Sequence, residues 1–545
     1  MAETGSCVLA AGAAALASYG LGQVGVWALR LSTRSVGENL TLSAGLGLAL
    51  GSASLALMSF LGALSVEVVE LLTLGFAAVG VWGLAACWIR LRIAQSTSPW
   101  TSNGHAVPAT ARPVLTLGLL TAAAALLHAL APPLPGSDLA TEICRSAESL
   151  RSSAARPLDV GEATLAAPLV LGGPGACSVF RWLLALFAAA AAGLAVELPH
   201  RRDREDRRAA RGVAVALALA TPVACVADQT AAGLLVGGWL ALAWFAWRRS
   251  LCESAGARWR VLASVVGGAA LVCMALAMRR APQPAAFPVV ELFESLGPLL
   301  TTAAPVAILV VGLPHSSAAV MGMIVLGLGA SSGVGSLAAA WAAPLLAASV
   351  AQGVSAFDGF RWPVRRWGAA AFAAALAVQA ALPLVAARGV WAVALGREER
   401  DDYLGKRIPE FRAVRLLDAL ARRQALVYSD QSDLLYYDGP CPQQAPPAAD
   451  WLPEELTRPV FLLHVDPPPS AAGAQRWLAA RNLELADPLL TTLLDYEFDD
   501  GNGAARRYRL LQLAPEAARE LAAGQYEAAQ ITADRRAADA ELPLR

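Results

Sequence analysis

Long apolar runs alternate with short charged segments over the first 388 residues of the chain. A membrane-spanning helix needs about 20 mostly apolar residues bounded by polar or charged positions. The pattern therefore predicts about twelve transmembrane helices. Their approximate spans are 7–30, 41–64, 71–89, 114–133, 180–198, 212–226, 230–247, 261–278, 298–313, 318–332, 336–352 and 369–387. Within 212–247 and 318–352 little polar sequence separates the neighbouring runs, so each of these stretches also allows a lower span count.

The pattern changes at Gly389, where helical and strand-like spacings begin to alternate. The predicted elements are a helix over 398–423, strands over 425–428, 461–465 and 508–513, and a helix over 472–480. Such alternation is typical of a small α/β domain. We expect a mainly α fold with a polytopic membrane domain over 1–388, which includes an outside loop at 135–178. A small C-terminal α/β soluble domain over 389–545, with a loosely ordered end, follows it.

Composition and charge support this division. The chain is 56% hydrophobic and 16% charged, against about 45–50% and 25% in soluble domains, so a wholly soluble enzyme is excluded. The formal net charge of zero combines +7 over 1–388 with −7 over 389–545, and it excludes a strongly basic nucleic-acid-binding protein.

The distribution of arginine predicts an orientation. If the N-terminus is outside, eighteen arginines lie in inside segments and five or six lie in outside loops before the tail. Because cytoplasmic loops collect Lys and Arg, this bias predicts a multi-pass protein of the cell inner (cytoplasmic) membrane with an extracytoplasmic C-terminal domain. The lipid bilayer is then its first partner.

Candidate catalytic residues are acids near the predicted outer face, because P-loop, GxSxG, HExxH and dinucleotide-binding motifs are missing. The five histidines lie far apart, and each is interpreted as structural. Asp138 and Glu142, spaced i, i+4, would share one face of a surface helix. A carboxylate there can act as a general base, or the pair can form a solvated loop rim. Asp228, between two apolar runs, is either a functional intramembrane acid or part of a water-facing tight turn.

An arginine pair and a cysteine pair each have two possible roles. Arg279 and Arg280 end the eighth predicted span on the outside, where they could bind a lipid phosphate by bidentate contacts or anchor the helix at the headgroups. Cys144 and Cys177 bracket the loop 135–178, where an oxidising compartment could join them in a disulfide or leave them as thiols.

The order of these parts resembles the GT-C class of multi-span glycosyltransferases that use lipid-linked sugars, including protein mannosyltransferases and aminoarabinose transferases of lipid A. The stretch 396–404, read as Gly-Arg-Glu-Glu-Arg-Asp-Asp-Tyr-Leu, and the segments 411–413 and 425–428 are similar to the tails of uncharacterised bacterial members. The resemblance implies that Asp138 is the catalytic acid of the first outside loop and that Asp228 is the acid of a second short turn. Leu139 stands beside Asp138 where the family usually has an aromatic residue or histidine, so a degenerate, non-catalytic relative is the alternative.

Together these observations predict a glycosyltransferase-like protein that moves a sugar from a polyprenyl-phosphate donor to an acceptor on the outer face of the membrane. Asp138 would be the base, and Glu142 or Asp228 would assist it, with a divalent metal as an optional cofactor. Arg279 and Arg280 would hold the donor phosphate. The alternative is a non-catalytic membrane scaffold that presents a periplasmic interaction domain. A transporter is less favoured, since no internal repeat is evident.

Overall fold

A computed structural model describes a mainly helical chain in which a small sheet lies in the C-terminal region. The described residues are 2–31, 33, 35–97, 111–134, 137–151, 157–196, 204–221, 231–250, 296–297, 299–301, 303–304, 317–331, 335–357, 362–421, 425–430, 434, 436–437, 454–467, 473–481, 483–499 and 505–523. The chain divides into two compact units, Met1–Arg400 and Asp401–Arg545. The sequence pattern placed this division at 388/389.

The first unit is built from helices that follow the apolar runs. They are α1 (Ala2–Ala28), α2 (Val36–Phe60), α3 (Val66–Thr97), α4 (Ala111–Leu130), α5 (Asp138–Arg151), α6 (Val160–Ala195), α7 (Arg204–Leu219), α8 (Ala231–Ser250), α9 (Ser317–Ser331), α10 (Gly335–Phe357), α11 (Trp362–Arg388) and the short α12 (Trp391–Ala394). Within the described residues, five helices, α1, α2, α3, α6 and α8, are long and apolar enough to cross a membrane. These five mark the chain as a membrane protein and do not establish twelve spans. The predicted span 261–278 lies outside the described residues.

Close helix contacts in this unit depend on glycine. A Cβ added at Gly22 or Gly47 would overlap the carbonyl oxygens of Ser43 and Ser18, respectively, so α1 and α2 pack backbone to backbone. Small residues that allow such approach drive helix association in lipid, where the hydrophobic effect between helices is absent.

Helix α6 is sharply bent in its first half. Gly172 and Gly173 leave the helical conformation, and Gly173 has φ 68°, which favours glycine. The Cys177 Sγ atom lies 3.7 Å from the carbonyl oxygen of Leu165, whereas residues twelve apart in a straight helix are about 18 Å apart. The segments 160–171 and 174–195 therefore fold against each other at this bend.

The predicted outside loop 135–178 contains two helical segments, α5 and the first half of α6. Cys144 lies in α5 and Cys177 in α6, and the described chain holds both as thiols rather than as a disulfide. The disulfide expectation depended on a free loop closing between them, and two packed helices occupy that stretch instead.

The second unit contains a four-stranded sheet. Its elements are α13 (Arg400–Arg407, whose first residue belongs to the helical unit), α14 (Phe411–Leu420), β1 (Leu426–Ser429), β2 (Val460–Asp466), α15 (Gly473–Ala480), β3 (Leu490–Asp499), β4 (Ala505–Leu513) and α16 (515–523). The strand order is β1-β2-β4-β3, with β1 and β2 parallel and the other pairs antiparallel. The predicted helix 398–423 is interrupted at Pro409, and β3 is an additional strand that the pattern did not predict.

A buried polar cluster holds α15 to the sheet. The Glu455 carboxylate is fully buried and accepts hydrogen bonds from Tyr428 Oη, Trp477 Nε1 and Arg481 Nη2, each at 2.7 Å. Burial, reinforced by the Glu455 carboxylate, raises the pKa of the Tyr428 hydroxyl above its usual range. The buried Glu455 carboxylate thus joins a phenol, an indole and a guanidinium in the interior of this unit.

Candidate functional site

Helix α5 presents a buried polar stripe to the first half of α6. Ser137 begins the helix, since its Oγ accepts the Ala140 N–H at 3.1 Å. Glu142, Ser146 and Ser149 follow at helical spacing, and all three are buried. An amphipathic helix with acid and hydroxyl groups on its covered face therefore lies beside the membrane-spanning helices.

Glu142 binds the start of α8. Glu142 is 4% exposed, and its Oε2 atom accepts a hydrogen bond from the backbone N–H of Ala231 at 2.8 Å. The first N–H groups of a helix lack intrahelical partners and carry partial positive charge, so a carboxylate is well placed there. Asp228 precedes Ala231 by three residues in the sequence. Glu142 thus fixes the helix that follows the predicted second acid.

Gly161 makes room for this carboxylate. A Cβ on Gly161 would lie 2.6 Å from Glu142 Oε1 and 2.9 Å from Ala232 Cβ. Only glycine lets α5, α6 and α8 meet at this point without displacement. The close approach of three helices is therefore coupled to the position of the Glu142 carboxylate.

A second buried carboxylate, Glu162, caps the first half of α6. Asp159 Oδ1 accepts the Glu162 N–H, and Glu162 Oε2 accepts the Asp159 N–H, both at 2.9 Å, which forms a reciprocal capping box. Ser146 Oγ donates to the Glu162 carbonyl at 2.9 Å. The half-exposed Arg145 guanidinium lies 3.9 Å from Glu162 Oε1. We call Glu142, Asp159 and Glu162 the carboxylate cluster.

A cavity of about 250 Å³ lies between α1, α2, α3 and α6. Small and apolar side chains dominate its wall, and Ala163, Thr164 and Ala167 line it from the same half of α6 that carries Glu162. Two hydroxyl groups in the wall bond within the protein: Ser52 Oγ lies 2.7 Å from both the Leu48 carbonyl oxygen and Thr164 Oγ1. A cavity lined mainly by apolar side chains favours hydrocarbon over water.

Of the predicted catalytic and phosphate-binding residues, the structure describes the side chain of Glu142 alone. The backbone of Asp138 opens α5, but its side chain lies outside the described residues, as do Asp228, Arg279 and Arg280. Glu142 is described, and its carboxylate binds a helix start. Over the described ranges, no group of three His, Cys, Asp or Glu residues is arranged to hold a metal ion. The described residues therefore do not indicate where the predicted divalent metal would bind.

Neither Glu162 nor the ion pair between Arg249 and Glu38 was predicted from the sequence; the ion pair joins the end of α8 to the start of α2. The Asp159-Val160-Gly161-Glu162 stretch carries the D-x-x-E spacing of a capping box, so a signal for Glu162 was present. Glu38 had a weaker signal, because Ser35 three residues earlier accepts its N–H as a helix cap.

Comparison with known proteins identifies no relative: no protein-family model, curated protein or solved structure matches the chain.

Proposed function

We propose that the protein is a glycosyltransferase-like enzyme of the inner membrane that takes a sugar from a polyprenyl-phosphate donor at the outer face. The observation that carries this proposal is the cavity between α1, α2, α3 and α6. It lies among helices long enough to span a membrane, and it is lined in part by the half-helix 160–171, which carries Glu162 of the carboxylate cluster.

The cavity suits a stretch of hydrocarbon chain. Its volume of about 250 Å³ exceeds the roughly 150 Å³ of an engineered apolar cavity that binds benzene. A polyprenyl chain would place a few carbons there, and the rest would lie in the bilayer. This arrangement keeps the donor phosphate near the membrane surface, where the sugar can react.

In the proposed reaction, an acceptor hydroxyl attacks the anomeric carbon of the donor. The new C–O bond forms as the bond to the phosphate breaks, polyprenyl phosphate leaves, and the hydroxyl proton passes to Asp138. Arg279 and Arg280 would hold the departing phosphate. Glu142 would act as a positioning residue, since it binds the N-terminus of α8 immediately after the Asp228 segment.

Replacement of Asp138 by Asn tests the role of the base. We expect a loss of sugar transfer of about 10²–10⁴-fold, the usual contribution of a general base. The assay compares surface glycans in a deletion strain that carries either form, with membrane insertion confirmed. Glu148→Gln is the matched control, because Glu148 is an exposed carboxylate on the same helix. Full transfer by the Asp138→Asn form would exclude Asp138 as the base.

The cavity is tested by Ala167→Phe, which fills it from α6. We expect KM for the lipid donor to rise while kcat changes little, because chain binding is lost and the reacting groups stay in place. Leu119→Phe is the control, since Leu119 is 71% exposed on α4 and does not line the cavity. Equal kinetics of the two variants would count against donor binding in this cavity.

The membrane scaffold is the second candidate function, and one observation favours it. The Glu142 carboxylate is buried and engaged by the start of α8, which is a structural role. The scaffold hypothesis predicts that a deletion strain keeps normal glycans.

A reporter fused after Arg545 tests the proposed twelve-span orientation: activity in the periplasm supports an extracytoplasmic tail, and activity in the cytoplasm contradicts it.

A further inference from the structure

The C-terminal unit contains an Asp–His pair at the carboxyl ends of its two parallel strands. Asp430 directly follows β1, and His464 lies near the end of β2. His464 Nδ1 is 2.7 Å from Asp430 Oδ2, and the two residues are 4% and 0% exposed. The carboxyl ends of parallel strands are where α/β domains place their ligands.

Backbone groups hold Asp430 in a single orientation. Oδ2 also accepts the Val465 N–H at 3.1 Å, and Oδ1 accepts the Gln475 N–H at 3.0 Å. Gln475 is near the start of α15, and this start lies tight against β1: a Cβ on Gly473 would overlap the Ser429 carbonyl oxygen. Strand ends and helix start together build the carboxylate into the fold.

This geometry defines which nitrogen of His464 is available. A carboxylate only accepts hydrogen bonds, so in the neutral imidazole Nδ1 carries the proton and Nε2 carries the lone pair. Among the described residues no hydrogen bond to Nε2 is formed, so in this tautomer Nε2 has an acceptor lone pair that a ligand hydroxyl can use.

The same face of the sheet continues as an exposed polar surface. Strand register places Arg509 opposite His464 and Arg507 opposite Asp466. Asp495 on β3 holds Arg507 by two hydrogen bonds of 2.7 Å and lies 3.4 Å from Arg509 Nε. The apolar end of this face packs against Trp477 of α15. The face is thus divided into a covered apolar end and an open polar end.

The charges at the polar end decide among ligand classes. Three exposed carboxylates, Asp466, Asp495 and Glu497, lie on this face with two guanidiniums, and the buried Asp430 carboxylate lies beside His464. An anionic ligand is disfavoured by this excess of negative charge, and the described residues do not group as metal ligands. Fixed acceptors and donors on an exposed strand surface suit hydroxyl groups, each of which both donates and accepts.

We infer that the C-terminal unit contains a binding site for a neutral, polyhydroxylated ligand, that is, a glycan. His464 Nε2 accepts a hydrogen bond from a ligand hydroxyl, and Asp430 fixes the tautomer that makes this possible. The inference does not depend on sugar transfer by the helical unit, because it uses residues of the second unit alone.

The test labels histidine in the detergent-solubilised full-length protein. Diethyl pyrocarbonate acylates an imidazole nitrogen through its lone pair, and peptide mass spectrometry reports His464 beside the other four histidines as internal references. We expect His464 to be labelled in the native protein. Methyl mannoside or methyl glucoside should slow this labelling about twofold once the sugar reaches its Kd, and inorganic phosphate should not. Absence of native labelling at His464, absence of protection by both sugars, or protection by phosphate would each overturn the inference.

Asp430→Asn tests the tautomer. The amide NH₂ can donate to Nδ1, which moves the imidazole proton to Nε2 and removes the reactive lone pair. We expect labelling of His464 to fall by about tenfold or more, by the logic of the Asp-to-Asn change in a catalytic triad. A purely structural Asp430 predicts the opposite sign, because a loosened site labels faster. Asp402→Asn is the control, because Asp402 is an exposed carboxylate of the same unit outside the proposed binding surface, and its labelling should match that of the unaltered protein.

Discussion

Two buried carboxylates of the helical unit, Glu142 and Glu162, and one of the C-terminal unit, Glu455, are held by different kinds of partner. In the helical unit, Glu142 accepts the N–H at the start of α8, and Glu162 accepts the N–H of Asp159 at the start of α6. In the C-terminal unit, Glu455 accepts from three side chains, one of which is the fully buried guanidinium of Arg481. Backbone dipoles balance the acid in the first case, and a buried opposite charge balances it in the second.

The difference determines what is lost when the acid is removed. A helix start without its carboxylate keeps only partial charges that need partners. A buried guanidinium without its carboxylate keeps a full charge in a low-dielectric interior. Loss of Glu455 should therefore cost more stability than loss of Glu142 or Glu162.

The largest effect is expected for Glu455→Ala. It leaves Arg481 buried without its carboxylate and frees the Tyr428 and Trp477 donors, so we expect a loss of about 3–5 kcal/mol in the free energy of opening. Hydrogen exchange of the β1 and β2 amides in the full-length protein measures this quantity. Glu454→Ala is the matched control, since the neighbouring Glu454 is exposed. Equal exchange in both variants would show that the buried cluster adds no stability.

The comparison also shows which parts of the fold a sequence can predict. Each predicted apolar run is helical where its residues are described. In lipid the backbone N–H and C=O groups of such a run need hydrogen-bond partners, and a helix supplies them within the segment. The start of α6 was missed because Gly172, Gly173 and Pro174 interrupt the run at the bend. Strand β3 was missed because it is an edge strand whose side chains are mostly half-buried or exposed, so its apolar alternation is weak.

The candidate site was harder to predict, because its contacts are long-range. Glu142 meets Ala231 across 89 residues, and Asp430 meets His464 across 34. A lone acid or histidine gives no hint of such a partner, and all five histidines were interpreted as structural. Only the Asp159–Glu162 capping box is local enough to be identified from spacing.

Gly161→Ala sharpens the comparison in the helical unit. The added Cβ would contact Glu142 Oε1 and push it from the start of α8, and we expect a destabilisation of about 1–3 kcal/mol from overpacking. Hydrogen exchange of the amides in 157–171 reports the effect. Gly12→Ala in α1 is the matched control, because its Cβ would have nothing within 4 Å. That variant should gain about 0.5–1 kcal/mol from helix propensity, and a similar loss in both would contradict the proposed packing at Gly161.

The smallest effect is expected at the exposed pair Asp495–Arg507, where neither backbone dipoles nor burial strengthens the interaction. The Arg507 hydrogen bonds hold the pKa of Asp495 below its usual range. Because the folded-state pKa is depressed, the pair stabilises the fold above the unfolded pKa of about 3.9, and this contribution is lost as the pH falls through the folded value. The urea midpoint of the C-terminal unit should therefore differ slightly between Asp495→Asn and the unaltered protein near neutral pH, and the difference should vanish in acid and in high salt. A difference that persisted in high salt would mean that Asp495 stabilises the sheet through packing rather than through its charge.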